Sequence, residues 1–147
     1  MPEDYVKAWE RAKNRSTCAL LVPTDGGPEM PGATATSQPT PDDRGWDVYL
    51  RKTSAIVEIL GLFDKSSQPE SQATPAFTRA WSDGSVARYG ADVGTDAGGD
   101  IDPAATPFEA TLTLPDQSCA YRIYDTLGKA HLESIFDRLR FVKGAGK

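Results

Sequence analysis

Residues 107–142, PFEATLTLPDQSCAYRIYDTLGKAHLESIFDRLRFV, constrain the fold more than any other stretch, because strand and helix periods follow one another almost without a gap. Phe108, Ala110, Leu112 and Leu114 alternate with Glu109, Thr111 and Thr113, as in a strand with one buried face. Pro115, Asp116 and Gln117 supply turn chemistry, since Pro presets φ and an Asp side chain bonds the backbone beyond it. Cys119, Tyr121 and Ile123 then alternate with Ala120, Arg122 and Tyr124 as the partner strand. After Leu127 and Gly128, Leu132, Ile135, Phe136 and Leu139 recur at helical spacing, with Glu133, Asp137 and Arg140 facing away. The spacing predicts a helix over 129–140, lying on the apolar face of a sheet.

Upstream, Pro2, Glu3 and Asp4 open a helix that buries Tyr5, Trp9 and Ala12 and ends near Asn14. The run STCALLV, Ser16 to Val22, is too short for a helix and stops at Pro23, so it reads as an extended segment that carries Cys18 to the core. Residues 23–43 form an irregular loop in which 33–37 has room for an edge strand. Trp46, Val48 and Leu50 alternate as a strand. Residues 53–63 place Ile56, Ile59, Leu60 and Phe63 on one helical stripe, with a buried strand as the alternative because Val57 and Leu62 make the run apolar all round. Asp83-Gly84 between two alternating runs predicts a two-residue hairpin, with Arg79 opposite Arg88. Two further irregular stretches occupy 64–75 and 90–107.

At 147 residues the chain fits one domain with one core. The expected fold is a single α+β domain over 1–147: an antiparallel sheet of about five strands, helices packed on one face, and the C-terminal helix closing it. No apolar run of about eighteen residues is present to span a membrane, and the start lacks the charged and apolar regions of a signal peptide. The chain is therefore expected either to be cytosolic or to be the mature part of a protein whose leader or anchor has been removed. Cys18 and Cys119 are the two cysteines. A bridge between them would close a loop of about 100 residues, worth about 4.7 kcal/mol by chain entropy, and would imply an oxidising compartment. The alternative is a pair of buried thiols.

A net charge of −5 excludes a nucleic-acid partner, because phosphate binding requires a basic face. Gly-rich pieces form neither a dinucleotide nor a phosphate loop, so no cofactor is expected. Asp92, Asp96, Asp100 and Asp102 offer oxygens to calcium, but their spacing fits no calcium loop and they read as a solvated acidic stretch. Arg79 and Arg88, placed opposite each other, would repel unless neutralised, and Trp81 beside them could stack on a guanidinium. These three are the candidate site for a small anionic ligand or a partner carboxylate, against the reading that both cations simply bond acids elsewhere in the protein. His131, the one histidine, lies on the flank of the final helix and reads as a surface residue. A hydrolase or isomerase would need it to meet a carboxylate in one pocket.

The run STCALLVP (Ser16 to Pro23), the Asp83-Gly84 hairpin and the closely joined Cys119 strand, Gly128 and final helix resemble extracytoplasmic domains of secreted proteins and lipoproteins of actinobacteria. Some of those are similar to the PsbP-like fold, a twisted antiparallel sheet with helices on it. The chain departs from the lipoprotein pattern by lacking a lipobox. The resemblance implies a non-catalytic binding or accessory module of a bacterial cell envelope, with membrane contact only through an anchor absent from this chain. The second expectation is a cytosolic inhibitor or immunity-type protein that sets its acidic loops against a basic target.

Overall fold

The computed structural model describes residues 3–27, 29–64, 76–91 and 106–141. In chain order these build α1 (Glu3–Arg11), β1 (Leu21–Pro23), β2 (Thr34–Ser37), a 3-10 turn at Pro41–Asp43, β3 (Trp46–Lys52), β4 (Ala55–Asp64), β5 (Phe77–Ala80), β6 (Val86–Ala91), β7 (Phe108–Thr113), β8 (Cys119–Asp125), α2 (Lys129–Phe136) and β9 (Leu139–Phe141). Seven strands form one antiparallel sheet in the order β2-β3-β4-β8-β7-β6-β5, and β1 pairs with β9 in a second, two-stranded sheet. Residues 65–75 and 92–105, with the acidic Asp92, Asp96, Asp100 and Asp102, lie outside the described residues.

The fold is therefore mostly β, and the expected α+β domain with about five strands is corrected on three counts. The first is 53–63, where a middle helix was expected. Residues 55–64 form the longest strand, paired on one side to β3 and on the other to β8. A run that is apolar on both sides suits a central strand, and Val57 and Ile59 point into the core beside Val48, Leu50 and Ile123. Gly61, which would weaken a helix, leaves the space that the Trp46 indole fills: a Cβ there would come within 2.7 Å of Trp46 Nε1.

The second correction is the hairpin at 76–90. Its register pairs Arg79 with Ala87 and Thr78 with Arg88, one residue away from the two-residue loop expected. Gly84 alone in the turn takes positive φ, +97°, whereas the two-residue form needs it at both central positions. Gly84 N–H donates to Trp81 O at 3.1 Å, Trp81 N–H to Ser85 O at 2.9 Å, and Ser85 N–H to the Asp83 carboxylate at 2.8 Å. A slip of one residue exchanges the faces of a strand, so Arg79 and Arg88 end up on opposite sides of the sheet.

The third is the final helix, which ends at Phe136 instead of reaching 140. Arg138 N–H caps Ile135 O at 2.9 Å, and the chain turns so that Leu139 and Phe141 pair with Pro23 and Leu21. The edge strand within 33–37, the strand from Trp46 and the antiparallel pair at 107–125 hold. The first helix forms but ends at Arg11 instead of near Asn14, and the run from Ser16 begins in a turn, where Thr17 N–H donates to Asn14 O, and becomes a strand at Leu21–Pro23.

The core lies between the sheet and a cover made of α1, the segment 18–22 and α2, with Tyr5, Trp9, Leu20, Leu132 and Phe136 among its buried residues. Cys18 and Cys119 are joined, with Cα atoms 5.4 Å apart and a sequence separation of 101, so the disulfide ties that segment to β8. Trp9 and Trp46 both donate their indole N–H to Cys18 O, at 3.1 and 3.3 Å, and Tyr121 OH donates to Ala19 O at 2.9 Å. Replacing both cysteines by Ser is expected to lower the unfolding free energy measured in urea by about 2–5 kcal/mol. Gly61→Ala, which drives a methyl group into the Trp46 indole, is expected to cost about 1–3 kcal/mol in the same measurement.

Candidate functional site

The corrected hairpin register decides what becomes of the three candidate residues. Arg79 and Trp81 come together against α2, while Arg88 is exposed on the outer face, opposite Thr78 and Thr111. Arg79 Cζ lies 4.9 Å from the Trp81 ring centroid and 5.8 Å from that of Phe136, within cation–π range. Its guanidinium pairs with Asp137 and donates to Glu133 O at 3.4 Å, at the carbonyl end of α2 where a helix favours a cation. The charge expected to receive an anion is thus already matched within the fold. Glu133 in turn accepts from Tyr89 OH at 2.6 Å and from Lys129 at 3.0 Å, and these bonds hold its carboxyl below the usual range.

Beside Trp81 a groove of about 340 Å³ opens between the hairpin tip and β9. Leu21, Leu112, Leu114, Phe136 and Leu139 line it together with Asp83, Ser85, Asp137 and Phe141, the last 48% exposed. Arg140 also reaches it. That guanidinium donates to backbone carbonyls of Asp137 and Leu139, at 3.4 and 2.6 Å, and forms no ion pair among the described residues. Sequence reasoning missed Arg140 because the helical reading pointed it to solvent.

His131, expected at the surface, is 3% exposed, and Asp125 beside it is fully buried. Nδ1 lies 2.6 Å from Asp125 Oδ2 and Nε2 lies 2.7 Å from Gly26 O. Both ring nitrogens therefore face acceptors, an arrangement that the doubly protonated imidazolium satisfies and a neutral ring does not. Burial pulls the imidazole pKa down, but the bonds to Asp125 and Gly26, with the charges of Asp125 and Glu29, outweigh it and leave it above the ordinary 6.5. A histidine and a carboxylate do meet, as a hydrolase would need, yet neither ring nitrogen is left with a lone pair for a substrate. The sequence signal for this pair was an Asp closing a strand shortly before a helix whose apolar stripe includes the flanking Leu132.

On the outer face Asp47, 4% exposed, accepts from Tyr49 OH at 3.2 Å and Gln38 Nε2 at 3.1 Å. Burial, and then the neighbouring Glu58 carboxyl, push Asp47 well above the ordinary carboxylate range. Strand pairing causes this: Glu58 is opposite Tyr49 across β3 and β4, which puts both acids on one face. Among the described residues, no three His, Cys, Asp or Glu side chains gather as a metal would require. No family model matches the chain, and no curated protein or solved structure matches it.

His131 and Asp47 give the native state more bound protons than the unfolded chain. For each the sign is the same: the unfolded group releases its proton first, so stability falls as pH rises from the unfolded pKa toward the folded one. Urea midpoints are accordingly expected to decline from about pH 4, where an unfolded Asp ionises, to about pH 8, where Asp47 does in the fold, with the imidazole adding its part above pH 6.5. Asp47→Asn should remove the part of the decline that begins in the carboxylate range and leave the part belonging to the imidazole.

Proposed function

We propose that this chain is a non-catalytic binding or accessory module that works in an oxidising, extracytoplasmic compartment of a bacterial envelope. The observation that carries the reading is the core disulfide between Cys18 and Cys119, a bond that persists where thiols are not continually reduced. Among the described residues no helix is long and apolar enough to cross a membrane. The commitment of both cysteines to a bridge and of both His131 nitrogens to internal acceptors supports a non-catalytic role.

The groove beside Trp81 supports the binding part of the reading. At about 340 Å³ it falls within the size range of small-ligand sites. Its polar lining is Asp83, Ser85, Asp137 and Arg140. Asp137 is paired with Arg79 and Asp83 accepts from Ser85 N–H, while Arg140 has no carboxylate partner among the described residues. The small anionic ligand expected at Arg79 and Arg88 fits better here, as an apolar or aromatic group that carries one negative charge.

Thiol titration of the denatured, unreduced protein taken from its native cells tests the compartment. No reactive thiol is expected, and two would favour a cytosolic interaction protein instead. Anilinonaphthalene sulfonate, an aromatic anion, tests the groove. Its fluorescence should rise on the folded protein, and Arg140→Ala or Trp81→Ala should weaken binding about tenfold, as loss of one charge-assisted or stacking contact would. Dye binding that is equal in wild type and both variants would remove the groove from the proposal.

A further inference from the structure

We propose that His131 is a proton-operated latch, which holds residues 24–27 against α2 while its ring is protonated and lets them go when the ring becomes neutral. The contact is directional: Nε2 meets Gly26 O at 2.7 Å, and a carbonyl oxygen only accepts. A neutral imidazole carries one N–H, and Asp125 Oδ2, 2.6 Å from Nδ1, keeps it on that side. Nε2 would then turn a lone pair toward the carbonyl lone pairs, in a buried place where water does not relieve the conflict. The favourable bond becomes a repulsion, so the segment itself feels the loss of the proton.

The charged groups around the ring single it out as the part that changes. Asp125 faces it from β8, and Glu29 Oε2 lies 3.9 Å from Nε2. The other tether of the segment is Asp25, which pairs with Arg138 at 2.8 Å, accepts from Gly27 N–H at 2.8 Å, and is held below the usual carboxylate range by those bonds. Arg138 O also accepts from Thr24 N–H at 2.9 Å. Asp25 keeps its charge throughout the range in which an imidazole titrates. On the helix of His131 itself, Lys129 and Glu133 pair with each other and turn to Phe77 and Tyr89.

What the latch closes is visible beside it. Residues 24–27 wall a cavity of about 530 Å³ whose other lining includes Met30, Ala33, Ala35 and Leu50. Gly26 lies so close to Met30 that an added Cβ would come within 2.7 Å of the Met30 Cβ. Gly26→Ala should therefore force the segment off at every pH, mimicking the neutral state.

Since the chain has one histidine, its imidazole resonance in NMR is unambiguous and gives the ring pKa directly. Amide hydrogen exchange at Gly26, Gly27 and Met30, corrected for intrinsic base catalysis, should speed up with that same midpoint, by about tenfold for each unit by which the ring pKa measured in this way exceeds that of a free imidazole. Amides of β4 and β8 should stay much slower to exchange, following only the fall in global stability. His131→Gln, whose amide N–H can serve Gly26 at any pH, should flatten the dependence, and Asp47→Asn should leave it intact. The proposal is overturned if the ring titrates without change in the amides of Gly26, Gly27 and Met30, if the amides of β4 and β8 come to exchange as fast as they do, or if the transition disappears in Asp47→Asn. Should His131→Gln fail to fold, the wild-type titration decides alone.

Discussion

Cys18 is the point on which the packing depends. A short extended segment laid over the face of a sheet has backbone carbonyls that no strand partner satisfies, and burying one without a donor costs on the order of 1–3 kcal/mol. Here the Cys18 carbonyl receives two indole N–H groups, one from α1 and one from β3, while its side chain is bonded to β8. Gln117 supplies Ala19 N–H with an acceptor at 3.0 Å, and Tyr121 satisfies Ala19 O at 2.9 Å. Helix, segment and sheet are thus joined at one residue, and the two tryptophans are held there by direction as well as by apolar area.

The same economy governs the charged groups on the core side. Arg79 and His131 are cations placed against apolar rings and a buried carboxylate, and each has its partner supplied by the strand–helix unit that ends the chain: Asp137 for one, Asp125 for the other. Groups that look reactive in a linear reading are in this fold used to fasten α2 to its neighbours. Arg140, which faces outward and forms no ion pair among the described residues, lies just past the end of that helix, where β9 begins to turn the chain back along β1.

Period-two alternation made the strands at 46–50, 108–114 and 119–124 legible, because their large apolar residues recur on one buried face with smaller or polar residues between them. The run at 55–64 was harder because its half-buried face carries Ile56 and Leu60, so the sequence loses the apolar and polar contrast although Val57 and Ile59 are the buried pair. Its turn offers no help either, since Thr53 takes φ of +52° in place of the Gly or Asn that usually marks such a bend. Asp83-Gly84 announced the hairpin but not its register, which depends on whether one or both residues adopt positive φ. The Cys18–Cys119 pairing followed from there being two cysteines. Burial of His131 did not, since it depends on Gly26, 105 positions away in the sequence, arriving beside the ring.

The two ends of the segment that begins at Cys18 are held by different physics. At Cys18 the tie is covalent and indifferent to pH, and the indole bonds there involve no titrating group. At Gly26 the tie is a hydrogen bond from an ionised ring, reinforced by the Asp25–Arg138 pair, whose guanidinium side chain is 30% exposed and so screened by solvent. Between them, β1 is pinned by three register pairs to β9. Any motion of the segment must therefore hinge after Pro23, with residues before it fixed to the sheet. The bend falls at Thr24, whose single backbone bond to Arg138 O is the last before the ionic end begins. A change of proton occupancy at His131 is in this way confined to one wall of one cavity, because the disulfide and its two indoles keep it from spreading into the core.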